Sequence, residues 1–147
     1  MTITLPGIVY LAGPIDLVSV TKARHWREIA TDRLSSAGYS IYNPVGAFFV
    51  STLTRPVAKS IVSINNNAMR HSHLFLFAID DETPSIGTPM ELLMLHEQRR
   101  INDVFVWYTK KKSKPIPAYL QAHVREDRLF DTLEEAIDAI KAHDQLQ

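Results

Sequence analysis

The sequence predicts an α/β fold, a mostly parallel five-stranded sheet with helices on both faces. Three observations carry this expectation. Short, almost continuous apolar runs at residues 8–12, 74–79 and 104–108 suit strands buried on both faces. Segments with helical spacing lie between them. No repeat, linker or low-complexity tract breaks the alternation, so residues 1–147 are expected to form a single domain.

The elements follow in order. Ile8 to Ala12 forms a first strand that ends in Gly13-Pro14. From Thr21 to Ala37, Ala23, Trp26, Ile29, Ala30, Arg33 and Leu34 recur every three or four residues, and Gly38 supplies a C-terminal stop. Tyr39 to Tyr42 is a second strand, closed by Asn43-Pro44. Residues 46–56 are apolar in part but without a clean period, and a helix is expected from about Val57 to Arg70. Residues 74–79, Leu-Phe-Leu-Phe-Ala-Ile, give the strongest strand signal in the chain. A turn-rich loop from Asp80 leads into a helix from Thr88 to about Arg100, and residues 104–108 form the next strand. Arg128-Leu129-Phe130 is a last short strand, and Thr132-Leu133-Glu134-Glu135 has the spacing of a capping box opening a C-terminal helix.

Composition narrows the function. Sixteen basic residues balance sixteen acidic ones, which argues against a polymeric nucleic-acid partner but leaves room for a small nucleotide. The absence of cysteine excludes disulfides, thiolate catalysis and cysteine-ligated zinc. Histidines and carboxylates show no metal-ligand spacing, so no metal or cofactor is expected. With no signal peptide and no apolar run of membrane-spanning length, the expected location is the cytoplasm.

In a parallel sheet with right-handed crossovers, the strand-to-helix loops share one edge, and ligands bind there. Three segments meet at that edge: Gly13-Pro14-Ile15-Asp16, Asn43-Pro44-Val45, and Asp80 to Glu91. Thr88, Pro89 and Glu91 fit the start of a helix, with Thr88 as cap and Glu91 at the third position. The pattern supports two readings. Thr88 and Glu91 form a capping box with no further role, or backbone N–H groups keep Glu91 ionised for displacement at an anomeric carbon.

Tyr10-Leu11-Ala12-Gly13-Pro14-Ile15, Trp26-Arg27-Glu28, Asn43-Pro44 and Pro84-Ser85-Ile86-Gly87-Thr88-Pro89-Met90-Glu91 together resemble the nucleoside 2-deoxyribosyltransferase superfamily. The resemblance runs from about Ile8 to Trp107 and includes the 2'-deoxynucleoside 5'-monophosphate N-glycosidases. It implies a flavodoxin-like or Rossmann-like three-layer sandwich and a homodimer or larger assembly. It also implies that Glu91 attacks C1' as nucleophile and that Tyr10 orients it. Gly13, Pro14, Ile15, Asp16, Ser85 and Gly87 would line the sugar and phosphate. Ser85 stands where members acting on free nucleosides tend to carry an acid, which favours a monophosphate substrate because a hydroxyl can donate to phosphate.

The chain departs from the family in three places. Asn65 occupies the region of a family aspartate and can hydrogen-bond a base but cannot shuttle its proton. His73 replaces another aspartate, and His73 or His71 is a candidate substitute acid. The hydrolases' arginine after the glycine turn is absent, leaving Arg24, Lys22 or Lys110-Lys111-Lys112 to compensate. The expected activity is hydrolysis of a (deoxy)nucleoside 5'-monophosphate to free base and sugar phosphate. The alternatives are base exchange by a deoxyribosyltransferase and nucleotide binding without turnover. Four consecutive apolar residues, Leu92 to Leu95, cannot all face one core from a single helix, so a second copy is expected to cover some of them. The resemblance also implies that the segment after the fourth strand, with Pro115-Ile116-Pro117-Ala118-Tyr119-Leu120, meets a neighbouring subunit.

Overall fold

The computed structural model describes residues 7–13, 20–44, 54–80, 87–109 and 115–145. Five strands form one sheet: β1 (Ile8–Ala12), β2 (Ser40–Tyr42), β3 (Leu74–Asp80), β4 (Val104–Thr109) and β5 (Leu129–Phe130). Every pairing is parallel, and the order is β2-β1-β3-β4-β5. This is the flavodoxin-like arrangement expected from the sequence.

Alternate residues along the strands feed two cores. Val9, Leu11, Leu74, Leu76 and Phe105 face α1 (Val20–Ser36) and α5 (Leu133–Gln145), against Trp26, Ala30, Leu34, Ile137 and Ile140. Tyr10, Ala12, Phe75, Phe77, Val104 and Val106 face the other way. They meet Met69 of α2 (Arg55–His71), Leu92 and Leu95 of α3 (Gly87–Glu97), and Leu120 of α4 (Ala118–His123). Each strand interior is apolar on both faces because each face has its own helical layer.

Helix boundaries follow local chemistry. Thr54 caps α2 through Val57 N–H, and Pro56 sits in its first turn, where its missing N–H costs nothing. Gly38 takes a φ of 99° just after α1, as a helix-ending glycine does. Thr132 Oγ1 accepts from Glu135 N–H at 3.1 Å, forming the expected cap of α5. Helix α3 ends earlier than its periodicity suggests, at Glu97, where Arg99 turns left-handed with a φ of 60°. The six-residue α4 had no periodic signal. Neither did the two short 3-10 turns Ile101–Asp103 and Glu126–Arg128.

The strands end at different heights. Strand β1 stops at Ala12, level with Phe77, whereas β3 and β4 stay paired through Asp80 and Thr109. The carboxyl ends of β1 and β2 therefore form a ledge beside a taller wall of β3 and β4. The chain order also reverses between β1 and β3, which makes this ledge the topological switch point of the sheet.

Candidate active site

Glu91 reaches the ledge from the second turn of α3, the helix that follows β3. Helix α3 begins at Gly87, so Thr88 lies inside its first turn with a buried side chain. Among the described residues no hydrogen bond joins Thr88 to Glu91, so the capping box is not formed there. Glu91 Oε2 is instead buried without a well-formed hydrogen bond among these residues. Burial pushes the Glu91 carboxyl above its ordinary range, while the Tyr10 hydroxyl and the charge of Arg27 pull it back down. Among the described residues the counterweight to desolvation is thus a hydroxyl and a guanidinium.

Tyr10 rises from the middle of β1 and is fully buried. Its hydroxyl interacts with Glu91, and its acidity is strongly suppressed, first by burial and then by the neighbouring carboxylate. Tyr10 Oη, like Glu91 Oε2, lacks a hydrogen bond of good geometry among the described residues. The two groups are near enough to shift each other's ionisation without meeting the geometry of a hydrogen bond.

Tyr42, the last residue of β2, pairs in register with Tyr10 and stacks on it, with ring centroids 5.2 Å apart and planes 15° apart. Its hydroxyl donates to Asn65 Oδ1 at 2.9 Å, bringing α2 into the cluster. Burial, followed by the charge of Glu91, raises the Tyr42 pKa. Glu91, Tyr10 and Asn65, named from the sequence, are therefore brought together, with Tyr42 linking two of them. Tyr42 was not a sequence candidate; its place at the carboxyl end of a predicted strand was the one signal, and its pairing with Tyr10 emerges only in the fold.

Gly13 ends β1 under the ring of Trp26. A Cβ there would stand 2.8 Å from Trp26 Cζ2 and 3.4 Å from the Ala78 carbonyl oxygen. Its own carbonyl accepts from Arg27 Nη2 at 3.0 Å. Gly87 is exposed at the start of α3, where a Cβ would meet nothing within 4 Å, so packing among the described residues does not require glycine there. Pro14, Ile15, Asp16 and Ser85 lie outside the described residues, as do Asp81, Val45 and Lys110 to Lys112.

The histidines proposed as substitute acids are elsewhere. His73 Nδ1 accepts from Ile8 N–H at 2.9 Å, and His73 N–H donates back to the Ile8 carbonyl, at the amino ends of β1 and β3. His71 closes α2 on the same side through Asn67 O. Both stand at the edge opposite Glu91. Arg24 is on the exposed side of α1. Among the described residues no group of three or more histidines and carboxylates could hold a metal ion, and no helix is long and apolar enough to cross a membrane.

A buried carboxylate beside a tyrosine, at the switch point of a parallel sheet, is the arrangement the sequence resemblance called for. The nucleoside 2-deoxyribosyltransferase-like family matches residues 7–109, spanning β1 through β4. The chain belongs to this family. Solved structures agree in fold. A 2-deoxyribosyltransferase from Bacillus psychrosaccharolyticus superposes with a TM-score of 0.69 at 14% identity, covering 89% of this chain and 90% of that one. A conserved protein from Enterococcus faecalis V583 gives a TM-score of 0.65 at 14% identity, covering 94% and 99%. No curated protein matches the sequence significantly. The family match spans Tyr10, Gly13, Arg27, Tyr42, Asn65 and Glu91.

Proposed function

We propose that the chain cleaves the N-glycosidic bond of a (deoxy)nucleoside 5'-monophosphate and hydrolyses it to base and sugar phosphate. The observation that carries this reading is the Glu91 carboxylate, partly desolvated and facing Tyr10 at the ledge between β1 and β3. A carboxylate stripped of water but still counterbalanced by a hydroxyl and a cation is a nucleophile at low reorganisation cost. Glu91 attacks C1', the bond to the base breaks with its electron pair passing to the base, and the base takes up a proton. Water then attacks C1' of the glycosyl-enzyme, gives up a proton and frees the Glu91 carboxylate. Tyr10 orients the carboxylate in both steps.

Asn65 is the contact to base or sugar. Its carbonyl is engaged by the Tyr42 hydroxyl, so the amide N–H groups are what it offers a ligand. The Gly13 turn, Pro14, Ile15, Asp16, Ser85 and Gly87 hold sugar and phosphate, and Ser85 is the reason for preferring monophosphates. A domain of this kind works without a cofactor and assembles as a homodimer. Met90 and Leu93, 62% and 49% exposed on the outer side of α3, suit the covered face. Leu92 and Leu95 instead fill the core, so the four-residue apolar run divides between two destinations.

The second reading, base exchange by a deoxyribosyltransferase, is favoured by the family itself. One experiment separates the two. Nucleoside monophosphates and the matching nucleosides are incubated with the protein, with and without a second free base, and products are resolved by chromatography. Hydrolysis predicts released base from monophosphates and no new nucleoside. A new nucleoside, or equal reaction of free nucleosides, selects transfer.

A further inference from the structure

Arg27 is the largest fully buried side chain among the described residues, and it enters the sequence only as part of the Trp26-Arg27-Glu28 motif, without a role. It projects from the second turn of α1 with its whole surface covered. A guanidinium so placed is costly unless its charge and its donors are used. Nη1 donates to the Ala23 carbonyl at 2.9 Å, one turn back in its own helix, and Nη2 donates to Gly13 O at 3.0 Å. Nε has no hydrogen-bond partner among the described residues. The guanidinium carbon lies 4.8 Å from the centroid of the neighbouring Trp26 ring, the ring that roofs Gly13.

No carboxylate among the described residues touches Arg27 directly. Among the described residues its charged partner is Glu91, which acts through space to favour the cation. In return, its charge favours the anionic form of Glu91. Among the described residues, the charged and titratable groups facing Glu91 are thus Tyr10 from β1, Tyr42 from β2 and Arg27 from α1. Of these, Arg27 alone carries a positive charge. Complete burial rules out direct contact between Arg27 and a ligand in this conformation, so any effect on the reaction passes through the residues it touches or polarises.

We propose that Arg27 is the positioning residue of this site, its fully buried guanidinium tying the Gly13 turn to α1 and its positive charge offsetting part of the desolvation of Glu91. The geometry separates the two tasks. The forked donors serve the backbone of Gly13 and Ala23, and the charge serves Glu91 without a direct bridge that would occupy its oxygens. A carboxylate held in a tight bidentate pair would be a poor nucleophile, whereas one stabilised at a distance stays free to attack. The catalytic consequence rests on the proposed nucleophilic role of Glu91, but the effect on its ionisation does not.

The test uses Arg27→Gln, which keeps a donor for Gly13 O but loses the charge, and Arg27→Lys, which keeps a charge but loses the fork. Glu91 ionisation is read directly by carbon NMR on protein labelled at glutamate side chains, with Glu91→Gln identifying the resonance. The pH profile of kcat/KM is measured in parallel for base release. Arg27→Gln is expected to titrate Glu91 at higher pH than wild type, to move the acid limb of the profile the same way, and to lose at least about tenfold in kcat/KM at neutral pH. Arg27→Lys is expected to restore the titration while melting at lower temperature. An unmoved Glu91 titration in folded Arg27→Gln overturns the proposal. If Arg27→Gln does not fold, Arg27→Lys decides, since a raised Glu91 titration despite a retained charge is the contrary result. A shifted titration in a protein that releases no base from any nucleotide upholds the electrostatic role of Arg27 and defeats only the functional reading.

Discussion

Gly13→Ala is the smallest change that strikes the ledge. The added methyl would stand 2.8 Å from Trp26 Cζ2, closer than carbon atoms pack, and 3.4 Å from the Ala78 carbonyl oxygen. Neither neighbour yields easily. Trp26 is 8% exposed and meets Trp107 edge-on at 6.4 Å, while Ala78 belongs to the central strand β3. Forcing one carbon into a packed interior costs about 1–3 kcal/mol. For a chain of this size each kcal/mol lowers Tm by about 2–4 °C, so a fall of roughly 2–12 °C is expected. The backbone shift also moves Gly13 O away from Arg27 Nη2, disturbing the group that braces the site. Thermal unfolding followed by circular dichroism, with base release assayed well below the transition, measures both effects. An alanine variant with unchanged Tm and full activity would refute the packing argument and the role given to this turn.

Further predictions concern the buried cluster and the assembly. Tyr10→Phe removes a hydroxyl that has no well-formed partner, so stability should hold or rise, while the lost contact to Glu91 should lower kcat/KM by roughly 10–100-fold; a variant of wild-type activity would contradict the orienting role. Because Glu91 carries a raised pKa in the fold, the folded state binds more protons than the unfolded one between the ordinary and the raised value, and stability falls as pH rises through that window. Glu91→Gln should therefore gain Tm relative to wild type at neutral pH and lose that gain in acid below the ordinary carboxylate range; a difference independent of pH would show that the carboxyl is not perturbed. Light scattering at micromolar concentration should give twice the 16.7 kDa chain mass, and Met90→Glu with Leu93→Glu should halve it; a wild-type mass of one chain would refute the dimer.

The sheet was legible in the sequence because three of its strands are continuous apolar runs, and a strand covered on both faces has no room for polar alternation. Helix ends were less so. Thr88 and Glu91 fit a capping box by spacing, but α3 starts at Gly87 and turns Glu91 toward Tyr10. The phase of the helix relative to the sheet, which local spacing does not encode, sets that orientation. Arg27 illustrates the same limit from the other side. An arginine in a helix ordinarily reads as a solvated charge, yet Ala23, Arg27, Ala30 and Leu34 are spaced four, three and four residues apart on one buried stripe. Helical geometry thus marked position 27 as inward-facing, and only the residue type concealed it. Tyr42 was hidden differently, since its contact with Asn65 depends on the register of β2 against β1. Nothing in either segment alone specifies that pairing.

The central claim is that Glu91 is the nucleophile. Wild type and Glu91→Gln are mixed with a deoxynucleoside 5'-monophosphate, quenched within the first turnover, digested and analysed by peptide mass spectrometry, with released base followed by chromatography. The account predicts a sugar-phosphate adduct on the Glu91 peptide of wild type, none on the variant, and at least about a hundredfold slower base release by the variant. Base release by Glu91→Gln at the wild-type rate, with its fold intact, would contradict it.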